Sequence, residues 1–203
     1  MQVIQKQKYL HGNKVGKLEI KKITPESMCN YKVNFTFDRD VNEELNKKLI
    51  QILSICFPRQ SIFKKQRYYT EMPSLRWYCN HEGKIVAHAA LHEKEITTKN
   101  GKALIGGIAE VCVHPDYRGR GLVKVLLEKA NKYSIRSGHK FSVLFGETKV
   151  YNSSGYVEIT NDIKYVNHET NEVKIEKAKD VMVKKLADME WPEGLIDING
   201  PTF

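Results

Sequence analysis

One stretch constrains this chain more than any other. Val111-Cys112-Val113-His114-Pro115 reads as the end of a strand, Asp116-Tyr117-Arg118-Gly119-Arg120-Gly121 as a glycine-containing turn, and Leu122 onward as a helix that begins at once. Leu122, Leu126, Ala130 and Tyr133 share one helix face, with Val123 and Leu127 beside it, until Gly138 ends the run. Phe141 to Phe145 is then a short apolar strand, so the order predicts a parallel strand pair joined by a helical crossover. Amides at a helix start point outward unpaired with a partial positive charge. Glycines let a ligand approach such a backbone closely. Arg118 and Arg120 stand where the helix dipole favours acids, and an anionic ligand resolves that conflict. The whole pattern predicts a diphosphate site; a solvated turn carrying two surface arginines is the plainer alternative.

The elements before it are antiparallel. Arg76 to Cys79 reads as a strand, His81-Glu82-Gly83-Lys84 as a turn, and Ile85 to Thr97 as a returning strand. Asn100-Gly101 signals a second hairpin into a third strand, Ala103 to Val113. Upstream, Leu45, Leu49, Ile52, Leu53 and Cys56 have helical spacing, with Asp40 and Glu43 as a capping box and Pro58 as the stop. Short strands fit parts of Lys14 to Phe37, and further strands fit Tyr156 to Asn167 and Glu172 to Lys184. The sum is a single α+β domain over residues 1–203, with a mixed, mostly antiparallel sheet flanked by helices and a β-α-β core at about 103–156. The tail 186–203 carries Trp191, Leu195, Ile196, Ile198 and Phe203, too apolar for a solvated end, and is expected to pack back onto the domain.

Composition excludes several classes. Of 203 residues, 41% are apolar, which rules out a disordered or fibrous chain. No run of about 18 apolar residues exists, so no membrane span is expected, and the first residues lack an export signal. The four cysteines, Cys29, Cys56, Cys79 and Cys112, form no C-x-x-C clip and suit a reducing cytoplasm. His88 and His92 lie four apart on one strand, but no third ligand stands near them in sequence, so no metal is expected. The formal charge of +9 invites an anionic partner without choosing one.

The loop Arg118-Gly119-Arg120-Gly121-Leu122-Val123 resembles the coenzyme A pyrophosphate signature of the GNAT superfamily of acyl-CoA-dependent N-acetyltransferases, Gln/Arg-x-x-Gly-x-Gly/Ala. Val113 to Gly119 matches the preceding Val-x-Pro-x-Tyr-Arg-Gly pattern, while Val123 departs from the usual Gly or Ala. Tyr151-Asn152-Ser153-Ser154-Gly155-Tyr156 matches the family's Tyr-x-x-x-Gly-aromatic motif after the next strand. The resemblance covers roughly Val41 to Lys184. A weaker one links the tail from Glu190 to Phe203 to the aminoglycoside 2'-N-acetyltransferase branch.

The resemblance implies acetyl-CoA as cosubstrate, with no metal, and an amine as acceptor. It places cofactor binding at Cys112, Val113, Arg118, Gly119, Arg120, Gly121, Leu122 and Val123, with a strand amide near Cys112 and Val113 on the thioester oxygen. It makes Tyr151 the acid for the departing thiolate, a phenol of pKa about 10 matching that task. Glu110, the one acid inside the third strand, becomes the base or amine-binding carboxylate. Relatives often carry that glutamate one residue further from the Val-x-Pro, where this chain has Ala109; a one-residue shift flips the face and a bulge restores it. Water, or a tail acid such as Asp197 or the Phe203 carboxylate, is the alternative base. By the tail resemblance, Trp191, Asp197 and Phe203 contribute to the acceptor site. Cys112, between two valines, reads as an inert core thiol. The expected activity is acetyl transfer to a primary amine of a small molecule, an aminoglycoside-like one included, by direct attack in a ternary complex. The alternatives are a basic nucleic-acid-binding protein, motivated by Lys64 to Tyr69 and the net charge, and a CoA-binding regulatory module. A monomer or a homodimer fits either.

Overall fold

The computed structural model describes residues 31–203. The strands expected between Lys14 and Ile20, and Cys29, lie outside the described residues. Ten strands form one sheet: β1 (Lys32–Phe37), β2 (Leu75–His81), β3 (Lys84–Thr98), β4 (Gly101–Val113), β5 (Phe141–Phe145), β6 (Val157–Glu158), β7 (Asp162–Val166), β8 (Val173–Lys177), β9 (Val181–Lys185) and β10 (Ile196–Asp197). The helices are α1 (Glu43–Cys56), α2 (Leu122–Arg136) and the single turn α3 (Thr148–Tyr151). Antiparallel pairing runs through β1, β2, β3 and β4, as the hairpin signals require. The expected parallel pair is β4 with β5, and β9 closes antiparallel on β5.

Two details differ from the sequence reading. The cap of α1 is Asn42, whose side chain accepts from the Leu45 amide, because Asp40 ends a separate 3-10 turn, Asp38–Asp40. The two strands expected between Tyr156 and Lys184 are four, because Asp180, at φ 55, turns the chain between β8 and β9, and β6 and β7 take different partners.

The long strand β3 organises the molecule. Its outer edge carries β2 over its first half and β10 at Thr97, so β7 and β8 attach there through the tail. Its alternation sends Ala87, Ala89 and Leu91 into a core beneath α2, with Leu122, Leu126, Leu127 and Ala130 opposite. The other face is covered at one end by α1, where Leu49, Ile52 and Leu53 meet Cys112. At the far end Ile196, Ile198 and Trp191 pack with Ile105 and Phe141. His88, Ala90 and His92 lie on this second face, between the two covers.

Candidate active site

The strands β4 and β5 pair from Ile105↔Phe141 to Ile108↔Leu144 and then part. β5 ends at Phe145 while β4 runs on to Val113, so the outer edge of β4 is left open where α2 begins. The opening is a cleft of about 420 Å³ lined by Val111, Cys112, Val113, Tyr117 to Val123, Val150 and Tyr151, with Cys56 and Phe57 at the end of α1.

The loop at its mouth is built for an anion. Gly119 and Gly121 take φ of 74 and 73, a region that disfavours side chains. Gly121 is the N-cap of α2 and offers no side-chain cap, and the first turn holds no acid. The first-turn amides therefore lack a side-chain partner among the described residues. Arg120 is fixed by the Tyr31 hydroxyl, by the Asp116 carbonyl at 2.9 Å and by stacking 4.8 Å over the Tyr117 ring. Arg118 Nε donates to the Val113 carbonyl at 3.3 Å.

That contact also tells which way the strand edge faces. The His114 amide donates to Val86 on β3, so alternation turns Val113 outward to the cleft and Cys112 inward to its β3 partner His88. Of the two residues expected to offer an amide, Val113 presents its backbone to the open side. Cys112 has its amide in the ladder and its thiol buried, raised well above 9 by the neighbouring Cys56 thiol and by burial. Leu122 turns its side chain into the core, so it can contribute only backbone, whereas Val123 lines the cleft. In sequence Cys56 reads only as part of the α1 face, because nothing there links the end of α1 to β4. It lines the same cleft, and its thiol is lowered by the Cys112 thiol and by Arg118.

Tyr151 packs so closely on Gly146 that a Cβ there would overlap its ring. Burial pushes its phenol up to about 12, above the value expected from an ordinary tyrosine. Such a phenol stays protonated at every working pH and is a permanent hydrogen-bond donor.

Glu110 sits at a β-bulge. Between the pairs His88↔Cys112 and Ala90↔Ala109, β4 has one residue more than β3, and Glu110 absorbs it at φ 52. The bulge turns Glu110 onto the face that carries His88 and Ala90. Its side chain is 5% exposed. Oε2 accepts from Arg76 Nη1 at 3.1 Å and Oε1 from the Tyr69 amide at 2.8 Å. Burial raises the carboxyl from 4.5 to about 7 against the downward pull of Arg76.

The tail residues separate. Phe203 stacks on His92, with ring centres 5.8 Å apart, and a Cβ at Gly107 would come within 2.7 Å of its ring. That is three residues along β4 from Glu110, or roughly 10 Å. Asp197 pairs with Thr97, seven residues along β3 from Ala90, or roughly 23 Å, and its carboxylate holds Lys164 at 2.8 Å. Trp191 packs on Phe141 and donates to Asn161 at 2.8 Å. Asp197 and Trp191 therefore anchor the tail at the far end and are not brought to Glu110. Nor do His88 and His92 form a metal site: among the described residues no group of three ligating side chains could hold an ion. Burial first, then nearby cations, holds both imidazoles down at about 3.

A cleft opened by two parting strands, with an uncapped, acid-free helix start at its mouth and a buried carboxylate across the strand, can hold an anionic cosubstrate beside a base. The model of the acetyltransferase (GNAT) domain family matches residues 39–159, and the chain belongs to that family of N-acetyltransferases. A comparison with curated proteins finds no match. The GNAT N-acetyltransferase YhbS from Escherichia coli, solved with CoA, has a similar structure at TM-score 0.57 and 16% identity, over 83% of this chain and 89% of that one. A GNAT acetyltransferase from Brucella melitensis, solved with acetyl-CoA, gives 0.54 and 12%, over 81% and 94%. A GCN5-related N-acetyltransferase from Kribbella flavida gives 0.48 and 20%, over 63% of this chain and 33% of that one, so this chain spans about a third of its length. No helix among the described residues is long and apolar enough to cross a membrane.

Proposed function

We propose that this protein moves an acetyl group from acetyl-CoA to a primary amine of a small molecule, by direct attack in a ternary complex. One observation carries the reading: the acid-free, uncapped start of α2 opens onto the cleft where β4 and β5 part, and Glu110 sits just across β4. In this reading the amides of Gly119 to Val123 hold the pyrophosphate, with the charge of Arg118 and Arg120 beside them. The outward Val113 amide polarises the thioester carbonyl. The amine enters on the opposite face, between Tyr69 and Phe203, and Glu110 takes its proton. Tyr151 gives a hydrogen bond to the departing thiolate. Burial lifts its phenol above an ordinary thiol, so a hydrogen bond rather than full proton release is its contribution.

A monoamine fits this basin better than a polycation. The tail acids that could have lined it are occupied far away: Glu190 by Lys185, Glu193 by Lys99 at 3.0 Å and Asp197 by Lys164. Trp191 and Asp197 shape the acceptor site only by fixing the tail, and Phe203 is its floor. Of the basic residues in the Lys64 to Tyr69 segment, Arg67 is held by Asp38 at 2.6 Å, which leaves only Lys64 and Lys65 exposed to an anionic partner. The test is thiol release from acetyl-CoA with a panel of simple amines and aminoglycosides. Release with monoamines is the expected result. Acetyl-CoA binding without turnover on any amine would favour the regulatory module.

Two smaller results are expected at the cleft. A thiol reagent modifies Cys56, the Cys56→Ala variant loses that site, and acetyl-CoA slows the labelling at least about tenfold; unprotected labelling would place the coenzyme elsewhere. Gly146→Val displaces Tyr151 and lowers kcat by roughly 10- to 100-fold with acetyl-CoA affinity nearly unchanged, as measured by steady-state kinetics beside calorimetry.

A further inference from the structure

Behind Glu110 lies a chain of buried charges that acetyl-CoA, in its cleft on the other side of β4, never meets. Arg76, fully buried on β2, is its centre. Its Nε donates to Asp38 Oδ1 at 2.5 Å, and its Nη1 reaches both Glu110 Oε2 at 3.1 Å and His88 Nε2 at 3.0 Å. Asp38, only 3% exposed, also holds Arg67 through Oδ2 at 2.6 Å and Oδ1 at 3.0 Å. His88 Nδ1 lies 3.0 Å from the Glu110 carbonyl. A carbonyl can only accept, so Nδ1 carries the proton and Nε2 is left to accept from Arg76. His88 is therefore a neutral strut that ties the bulge backbone and the guanidinium together.

The charges facing Glu110 come from every element packed on it: Arg76 from β2, neutral His88 from β3, Asp38 from the turn before α1 with Arg67 behind it, and the uncharged Tyr69 amide from the segment before β2. With Glu110 ionised the set holds two cations and two anions and is neutral. With Glu110 protonated it carries one buried positive charge. Such a charge is unfavourable in the interior, so the set opposes protonation just where burial promotes it.

We propose that Arg76 is a positioning residue for Glu110, with Asp38 behind it: the guanidinium holds the bulge carboxylate in place and charged, and Asp38 limits how strongly it does so. The catalytic use of this arrangement rests on the reading of Glu110 as the base, but the arrangement itself does not. Removing Arg76 and removing the charge of Asp38 act on Glu110 with opposite sign. Without Arg76 burial acts unopposed and the carboxyl rises further; without the Asp38 charge Arg76 acts more strongly and the carboxyl falls. His88 does not take over the lost charge, because burial is the first cause of its low value.

The experiment reads the Glu110 carboxyl carbon by 13C NMR against pH in the full chain, assigned by its loss in Glu110→Gln. The pH profile of kcat/KM is measured in parallel. Arg76→Met is expected to move the carboxyl titration up by roughly 1–3 units, Asp38→Asn to move it down, and Arg76→Lys to stay near the native value. Acetyl-CoA affinity stays within a few-fold throughout. If Arg76→Met does not fold, the downward shift in Asp38→Asn, which keeps shape and most hydrogen bonding, decides alone. Titrations that do not move, or that move the same way in both variants with Arg76→Lys as impaired as Arg76→Met, reduce Arg76 to packing and overturn the inference. Opposite titration shifts that kcat/KM does not follow uphold the inference and remove Glu110 from the role of base.

Discussion

Acetyl-CoA is expected to give no measurable heat of binding to the double variant Arg118→Glu/Arg120→Glu and a single-site isotherm with the native chain. The expected loss is roughly 100- to 10,000-fold, since each charge-assisted contact contributes about 1.5–3 kcal/mol. The reasoning starts from the helix end. A start with a glycine cap and no acid in its first turn is electrostatically incomplete. Arg120 is not a floppy surface cation, because Tyr31, Asp116 and Tyr117 fix its guanidinium at the mouth of the cleft. Two glutamates there would face the coenzyme phosphates beside amides already aimed at them. The control is Lys129→Glu/Lys132→Glu, which makes the same change in net charge on the exposed side of α2. Binding within a few-fold of native in the loop variant, or equal losses in both, would sink the pyrophosphate assignment.

Glu110→Gln lowers kcat by roughly 100- to 10,000-fold and removes one limb of the pH profile. The sign follows from the site. A base works only when deprotonated, and burial has raised this carboxyl from 4.5 to about 7. Native kcat/KM therefore rises with pH through about 7 and then levels, apart from the ionisation of the acceptor amine itself. In the glutamine variant the limb near 7 is gone and the amine limb remains. Acetyl-CoA affinity is unchanged, because the carboxylate points away from the cleft. If the limb survives, water carries the proton and Glu110 is a latch for Tyr69.

Legibility in the sequence followed range. The strand, turn and helix start around the loop were readable because their parts are contiguous: Val113, Pro115, Arg118, Gly119 and Gly121 each constrain their own backbone, and α2 follows within the same stretch. The hairpins were readable for the same reason. The cap of α1 was misplaced by two residues, because Asp40 and Asn42 are both good caps and only the tertiary contact of Asp38 with Arg67 and Arg76 decides which turn ends where. The bulge was foreseeable as a need but not as a fact: it depends on Arg76 and Tyr69 receiving Glu110, contacts 34 and 41 residues apart in sequence. Cys56 is hidden for a like reason, lying 56 residues before its neighbour Cys112. The tail misled most. Its apolar residues Trp191, Ile196 and Ile198 pack with Ile105 and Phe141, but composition cannot say at which end of β3 such packing occurs, and the small strand β10 sets Asp197 and Trp191 at the far end.

The Tyr69 amide on Glu110 has a consequence for an enzyme that holds a reactive thioester and must wait for an amine. Both oxygens of the carboxylate are engaged, one by Tyr69 and one by Arg76, so part of its acceptor capacity is taken before any amine arrives. The segment before β2 is pinned again by Thr70, whose hydroxyl donates to the Thr202 carbonyl at 2.8 Å. In the proposed reading, an amine arriving between Tyr69 and Phe203 competes with the Tyr69 amide for Oε1. On that reading the acceptor itself displaces the amide and so readies its own base.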